Sequence, residues 1–172
     1  ADPNLARGVL PGLSPHAPYS THPELVAAAV RLAGSQPVAM HLAESREELE
    51  LLATGGGPFR ALLEELGVWR PDVFAAPRRP LDYLELLAGA RRALVIHGNY
   101  LSDDEIGFLA ARADRMSLVY CPRTHEYFRH EPYPLAALLR AGGSLAIGTD
   151  SRASNPDLSV LSELQTVHRL HP

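Results

Sequence analysis

Short apolar segments alternate along this sequence with longer segments of helical periodicity. Apolar residues recur three and four positions apart, as in an amphipathic helix, in ELVAAAVRLAG, ELELLATG, EIGFLAARAD and DLSVLSELQTVHRL. Nearly continuous apolar runs, typical of strands in a parallel sheet covered on both faces, occur in RGVLPGLSPH, PVAMH, RALVIH, MSLVYC and GSLAIGTD. Because strand and helix follow each other in turn, the pattern predicts an α/β fold of parallel strands joined by right-handed crossovers.

Each of these four helices has a start signal in the sequence. In a capping box, a hydroxyl and a carboxylate three residues later satisfy free backbone amides at the start of a helix. The predicted boxes pair Thr21 with Glu24, Ser45 with Glu48 and Ser102 with Glu105, and the fourth start is Asn155 followed by Pro156 and Asp157. Between His41 and His97, two further helical segments, GPFRALLEELG and PLDYLELLAGA, predict a helical insertion over one face at about residues 53–92.

The composition indicates which kind of molecule the chain could bind. The chain has 172 residues, of which 46% are hydrophobic, and a net charge of -4 with both signs interspersed. It therefore has enough apolar residues for one substantial core, but no basic stripe for nucleic acid or a membrane surface. No apolar run approaches the roughly 20 residues of a membrane span. We expect a small-molecule partner.

Two further features of the composition limit the chemistry. Cys121 is the only cysteine, which excludes an intrachain disulfide and a cysteine-based zinc site and favours a cytoplasmic location. Lysine is absent, so this chain cannot supply a Schiff-base lysine, a phosphate-loop lysine or a carbamylated lysine between two metals.

Ionisable side chains stand where the predicted strands end. These residues are His16, His41 with Glu44, His97, Cys121 with Arg123, and Asp150. A single histidine at a strand end is more often structural, and an aspartate after Gly-Thr is often only a helix cap. The carboxyl ends of parallel strands meet at one rim, however, and the coincidence of three histidines and two carboxylates there favours a shared site.

Convergent imidazoles and a carboxylate suit a zinc-like or iron(II) ion. We expect His41 to hold the ion and Glu44, three residues later, to carry a proton from its water to a leaving group. Four other histidines are expected at the surface: His22, His130, His168 and His171. His125 follows a strand end in CPRTHEYF and is a weaker candidate for a substrate contact.

Five motifs in this order, SPHAPYS, HLAES, VIHGNYL, CPRT and GTDSRASN, resemble the later strands of the amidohydrolase superfamily. The resemblance is to the branch that contains cytosine, adenosylhomocysteine and aminodeoxyfutalosine deaminases and triazine chlorohydrolases. It implies a (β/α)8 TIM barrel with one divalent metal ion, zinc before iron(II). In this resemblance His41 and Asp150 are the metal ligands, and Glu44, His97 and Asp150 are the catalytic residues. His16, Glu44 and His97 would bind substrate.

The reaction implied by the resemblance is hydrolytic deamination of a nitrogen heterocycle or a purine-nucleoside-like compound. Hydroxide on the metal would attack the amidine carbon, Glu44 would protonate the ring nitrogen, and ammonia would leave. The RTHEYF segment departs from many relatives, which have Ser-Asn after Cys-Pro, so the identity of the heterocycle is left open.

One departure from the family concerns the whole chain. The first barrel strand of the family supplies a His-x-His pair to the metal, and this sequence contains no such pair. We therefore expect residues 1–172 to be the C-terminal part of a barrel domain, holding strands four to eight only. Such a chain needs the N-terminal strands and alone would bind metal weakly and lack activity. The oligomeric state is left open, with a homo-oligomer as one option.

Other functions compete with this interpretation. The small zinc deaminases of cytidine need a Pro-Cys-x-x-Cys motif, which a single cysteine excludes. A ring-opening cyclic amidase or a dechlorinating hydrolase on the same fold remains an alternative. A non-catalytic half-barrel, serving as a binding or assembly module, is the alternative of another class, although Glu44 beside His41 argues against it.

Overall fold

The sheet contains four parallel strands. The computed structural model describes residues 11–172. Within that range the strands are β1 (Val38–Leu42), β2 (Ala93–His97), β3 (Met116–Tyr120) and β4 (Ser144–Ile147). Their spatial order is β1-β2-β3-β4, the same as their order in the sequence. The predicted α/β fold with parallel strands is therefore confirmed, and the order is that of a barrel wall.

The fifth predicted strand, RGVLPGLSPH, lies partly outside the described residues. In the described part, Leu13 forms an isolated parallel bridge with Val38. Its amide donates to the Pro37 carbonyl over 3.0 Å, and its carbonyl accepts from the Ala39 amide over 2.9 Å. The His41 amide donates to the His16 carbonyl over 2.8 Å. This segment therefore runs along β1 and brings His16 to the end of that strand.

Eight helices connect and cover the strands in the described residues. They are α1 (Pro23–Ala33), α2 (Arg46–Thr54), α3 (Gly57–Glu65), α4 (Pro80–Leu87), α5 (Asp103–Ala110), α6 (Pro122–Tyr127), α7 (Leu135–Arg140) and α8 (Val160–Leu170). The four helices predicted after strands are all present. The periodicity gave no sign of α6 and α7, because each has only six residues and so completes fewer than two turns.

The predicted helix starts were right in part. Ser102 and Glu105 form the capping box at α5. At α2, Ser45 caps the Glu48 amide, but the Glu48 carboxylate turns to earlier residues of the loop. The Thr21 box was wrong because the His22 side chain caps α1 by accepting from the Glu24 amide. The Asn155 start was also wrong, since α8 begins at Val160 with Ser159 as its cap.

The hydrophobic core lies between the sheet and the helices. In β1, Val38, Met40 and Leu42 are fully buried, whereas Ala39 and His41 on the opposite face are only half-buried. The sequence pattern predicted a sheet covered on both faces, but in β1 only the helix-facing side is fully buried. Of the two helices in the 53–92 interval, α3 has no buried residue while α4 enters the core. No helix within residues 11–172 has the length and apolar character needed to cross a membrane.

Candidate metal-dependent active site

Three ionisable side chains from three strand ends meet at one point of the rim. His41 lies in β1, His97 ends β2, and Asp150 follows β4. A potential ligand atom from each of these residues lies within 4.8 Å of the other two. The imidazole rings of His41 and His97 have centroids 5.3 Å apart. The structure therefore brings together residues separated by more than a hundred positions in the sequence.

The backbone at these strand ends has left-handed dihedral angles that non-glycine residues rarely adopt. The φ angles are 53° at Ala43, 69° at His97 and 56° at Asp150. Strict alternation along β2 would place His97 with Val95 on the helix-facing side. The left-handed turn redirects its side chain toward His41. Strained backbone of this kind is common at functional sites, because it aims side chains that regular structure would not.

His41 is held in one tautomer by a backbone contact. Its Nδ1 lies 3.1 Å from the His16 carbonyl oxygen, which can only accept a hydrogen bond. Nδ1 therefore carries the proton and Nε2 keeps its lone pair, as a metal ligand requires. The His16 ring itself lies 5.0 Å from that of His41, and its Nδ1 is 2.7 Å from Ser20 Oγ. Burial, followed by the nearby His41, lowers the pKa of His16.

Glu44 stands beside the three donors. Its Oε1 is 3.5 Å from His97 Nε2. Burial raises the pKa of the Glu44 carboxyl, with an opposing effect of His41 and a smaller raising effect of Asp150. Its backbone is fixed at both ends, because its amide donates to Glu48 and its carbonyl accepts from Asn99 Nδ2.

Asp150 is oriented by hydroxyl groups. Ser154 Oγ donates to its Oδ2 over 3.0 Å, and Thr124 Oγ1 lies 2.9 Å from the same hydroxyl. Asn155 Nδ2 donates to the Thr149 carbonyl and to the buried carboxylate of Glu163, and so fixes the loop that carries Asp150. A ligand carboxylate held in this way keeps its direction without a metal.

Burial shifts the pKa of several groups around the site. It lowers the pKa of His97 to about 4, against the raising effect of Asp150. It raises the pKa of Glu48 to about 7, although the amides of Glu44 and Ala43 favour the carboxylate. It also raises the pKa of the free thiol of Cys121 to about 12. Cys121 is thus an uncharged neighbour and not a nucleophile at neutral pH.

The other histidines lie away from this centre or support the fold. His125 is buried, and its Nε2 donates to the Glu131 carbonyl over 2.8 Å, in a cavity next to Tyr120 and Tyr133. This position does not support the weaker prediction that His125 contacts the substrate. Of the four histidines expected at the surface, only His168 is exposed; His22, His130 and His171 are half-buried.

Two open cavities adjoin the rim. One, of about 560 Å³, lies on the inner face of the sheet and includes His16, His41 and Asp150. The other, of about 490 Å³, begins at Glu44. Its other lining residues are Tyr19, Ser45, Arg46, Glu47, Phe59, Tyr100, Phe128, Arg129 and His130. Sequence reasoning missed these aromatic and cationic side chains, because they come from loops and helices with no shared motif.

Imidazole and carboxylate donors at the ends of parallel strands, with a second acid beside them, form the donor set of a candidate metal site at the rim of an α/β-barrel wall. The profile of the amidohydrolase family matches residues 4–171 of the sequence. The chain therefore belongs to the amidohydrolase family.

Relatives with known activities are similar over nearly the whole chain. An aminodeoxyfutalosine deaminase from Deinococcus radiodurans is 32% identical over 96% of this chain and 41% of its own length. A 5-methylthioadenosine/S-adenosylhomocysteine deaminase from Pelotomaculum thermopropionicum is 31% identical over 91% and 32%, respectively. A crystal structure of an adenosine deaminase from Xanthomonas campestris with bound zinc superimposes with a TM-score of 0.66 at 30% identity, covering 92% of this chain and 32% of that one. The chain thus spans about two fifths of the first of these relatives and a third of the others.

Proposed function

We propose that this chain forms the catalytic rim of an aminohydrolase that deaminates a purine-nucleoside-like compound. The observation that carries the proposal is the position of Glu44, a partly buried acid 3.5 Å from His97 and adjacent to the His41, His97 and Asp150 donors. The relatives named above are deaminases, which supports the same reaction class. The polypeptide that contains this chain would need further barrel strands to complete the site.

The donor set fits one divalent ion. His41, with its Nε2 lone pair free, and Asp150, oriented by Ser154, would hold the ion, and zinc is the metal that these donors suit best. His97 lies close enough to join them or to contact the water beside them. When bound, the ion would lower the pKa of water toward neutrality and stabilise negative charge.

The protein side chains would move and hold the protons. Burial raises the pKa of Glu44, which favours its role as the group that passes a proton to a ring nitrogen of the substrate. Asp150 would accept the proton released from water. His97 is neutral because of its burial, and its Nε2, near Glu44, would orient the water or the leaving amino group. His16, at the inner edge, would contact the base.

The cavity that begins at Glu44 would hold the part of the substrate away from the reacting carbon. Tyr19 and Phe59 have ring centroids 4.5 Å apart on one side, and Tyr100 and Phe128 also line the cavity. Aromatic walls of this kind suit a flat nucleoside. The cavity volume of about 490 Å³ is within the usual range for small-molecule sites. The predicted compartment is the cytoplasm, in keeping with a single free thiol.

Replacing Glu44 tests this assignment. Glu44→Gln keeps the shape of the side chain but removes its acid, so turnover should fall by roughly a hundredfold or more while metal content is unchanged. Ammonia release from 5′-substituted adenosines and metal analysis of the zinc-loaded full polypeptide measure the two quantities. Glu50→Gln, at an exposed glutamate of the helix α2 that follows Glu44, is the matched control and should behave as wild type.

The products decide between this function and its alternatives. Deamination releases ammonia, dechlorination of a chlorinated heterocycle releases chloride, and ring opening adds water without losing either. If Glu44→Gln turns over as fast as wild type, the assignment of proton transfer to Glu44 is wrong. If the products show ring opening or chloride release without ammonia, deamination is wrong and the chain belongs to an enzyme of another reaction on the same fold.

A further inference from the structure

The carboxylate of Glu48 is fully buried and makes two hydrogen bonds to backbone amides. Oε1 accepts from the Ala43 amide over 2.8 Å, and Oε2 accepts from the Glu44 amide over 3.0 Å. A buried carboxylate is costly unless its oxygens are satisfied, so these bonds are a built feature of the loop. They reach the residue that carries the proposed proton transfer and the residue before it.

This contact acts on a strained turn. Ala43 has a φ of 53°, which is unfavourable for alanine, and it must adopt this angle to turn the chain from β1 toward the rim. The Ala43 carbonyl accepts from the Tyr100 amide, and the Glu44 carbonyl accepts from Asn99 Nδ2. The Ala43–Glu44 peptide is thus held between the first turn of α2 and the loop after β2.

We propose that Glu48 is a positioning residue for the reaction, and that its carboxylate fixes the peptide of Glu44 so that the Glu44 carboxyl faces His97. The proposal rests on the proposed function for the role of Glu44. Glu48 itself touches neither the metal donors nor the cavity that begins at Glu44 in the described residues.

A second buried glutamate offers a matched control. Glu105 is 2% exposed and stands at the same position of α5 as Glu48 does of α2. It accepts from the Ser102 and Leu81 amides and also from Arg79 Nε over 3.3 Å. Neither of these two amides belongs to, or is next to, a residue that acts in the proposed reaction. Loss of either carboxylate should therefore loosen the backbone that it holds, but only the loss at Glu48 should affect the chemical step.

The test compares Glu48→Gln with Glu105→Gln in the zinc-loaded full polypeptide. Glutamine keeps the shape but presents an NH2 group to one of the two amides, so one amide loses its acceptor. In Glu48→Gln we expect kcat to fall by roughly ten- to a hundredfold, because a small displacement of a reacting group has an effect of this size. KM should stay within about threefold, since the substrate cavity is unchanged. Metal content should equal that of wild type.

Hydrogen–deuterium exchange supplies a readout that does not depend on activity. The Ala43 and Glu44 amides should exchange faster in Glu48→Gln, and the Ser102 and Leu81 amides faster in Glu105→Gln, with kcat unchanged in the latter. Wild-type kcat in Glu48→Gln, or an equal loss of kcat in Glu105→Gln, would overturn the proposal. If wild type releases no ammonia from any nucleoside, the proposed function fails, and unchanged exchange at Ala43 and Glu44 would then overturn the positioning role as well.

Discussion

At the scale of single residues, the site depends on side chains whose direction and charge are set by burial. His97 is 2% exposed, and burial lowers its pKa to about 4. The imidazole is therefore neutral in the folded protein across the range in which an exposed histidine takes up a proton. Neutral imidazole is the form that can accept a proton or bind a metal.

The burial of His97 predicts how stability depends on pH in the metal-free protein. Because the folded-state pKa is lowered, the contribution of neutral His97 is complete above about 6.5 and is lost as pH falls toward 4. The loss should total about 3 kcal/mol of unfolding free energy. Urea unfolding at pH 7.5 and 4.5 should show a steeper loss for wild type than for His97→Gln.

Glu48 contributes to stability in the opposite direction. Its pKa is raised to about 7, so its contribution is complete below about 4.5 and is lost as pH rises through 7. This contribution is common to wild type and His97→Gln, and it cancels when the two are compared. An identical pH dependence in both proteins would show that His97 titrates normally in the folded state.

At the scale of elements, the units that build the rim are a strand, a turn and a helix with a buried glutamate in its first turn. Helices α2, α5 and α8 carry Glu48, Glu105 and Glu163, each 2% exposed or less. Each of these carboxylates accepts from a backbone amide of another segment: Ala43 in the turn after β1, Leu81 in the first turn of α4 and Arg123 in the first turn of α6, respectively. Each carboxylate thus ties the start of its own helix to a neighbouring segment of the chain.

The turn after β2 leaves no space for a side chain at Gly98. Gly98 follows His97 with a φ of 61°, and an added Cβ would overlap Leu118 Cδ1 and lie 3.0 Å from Leu101 Cδ1. Gly98→Ala should therefore lower the unfolding free energy by about 2 kcal/mol or more. Thermal or urea unfolding measures this change.

Gly107 provides the matched substitution for Gly98. It lies in α5 with nothing within 4 Å of an added Cβ and with no left-handed φ. Gly107→Ala should raise the unfolding free energy by about 0.5–1 kcal/mol, because alanine favours the helix. Equal effects of the two substitutions would mean that the turn at Gly98 is not tightly packed.

At the scale of the whole molecule, the described residues form an open wall and not a closed barrel. The inner face of the sheet adjoins a cavity that includes His41, Val119 and Asp150, and Leu94 in β2 is exposed. Apolar side chains on α8 are exposed as well, with Leu161 at 67%. Closure by further strands would cover these surfaces and complete the metal site.

The open wall predicts weak metal binding by the isolated chain. With His41, His97 and Asp150 as donors, the 172-residue chain should bind zinc more than about tenfold less tightly than a polypeptide that also supplies the remaining barrel strands. Competition with a chromogenic chelator measures both affinities. Asp150→Asn should weaken binding further, and equal affinity of the short and long polypeptides would contradict the need for further strands.

The sequence by itself determined the alternation of strands and helices, and it marked His41, Glu44, His97 and Asp150 as residues at strand ends. Both follow from local properties, namely hydrophobic periodicity and the rule that parallel strands end at one rim. The short helices α6 and α7, the true caps His22 and Ser159, and the cavity beside Glu44 could not be read in the same way.

Only the tertiary structure decided which way the rim residues face. Alternation along β2 would have turned His97 toward the helices, and a capping box would have directed Glu48 to Ser45. The left-handed φ at His97 instead brings its side chain to the rim, where the shared site was predicted. The burial of Glu48 takes its carboxylate to the Ala43 and Glu44 amides, against the predicted capping box. Backbone angles at turns and the partners of buried charges depend on packing between distant segments, and no local pattern specifies that packing.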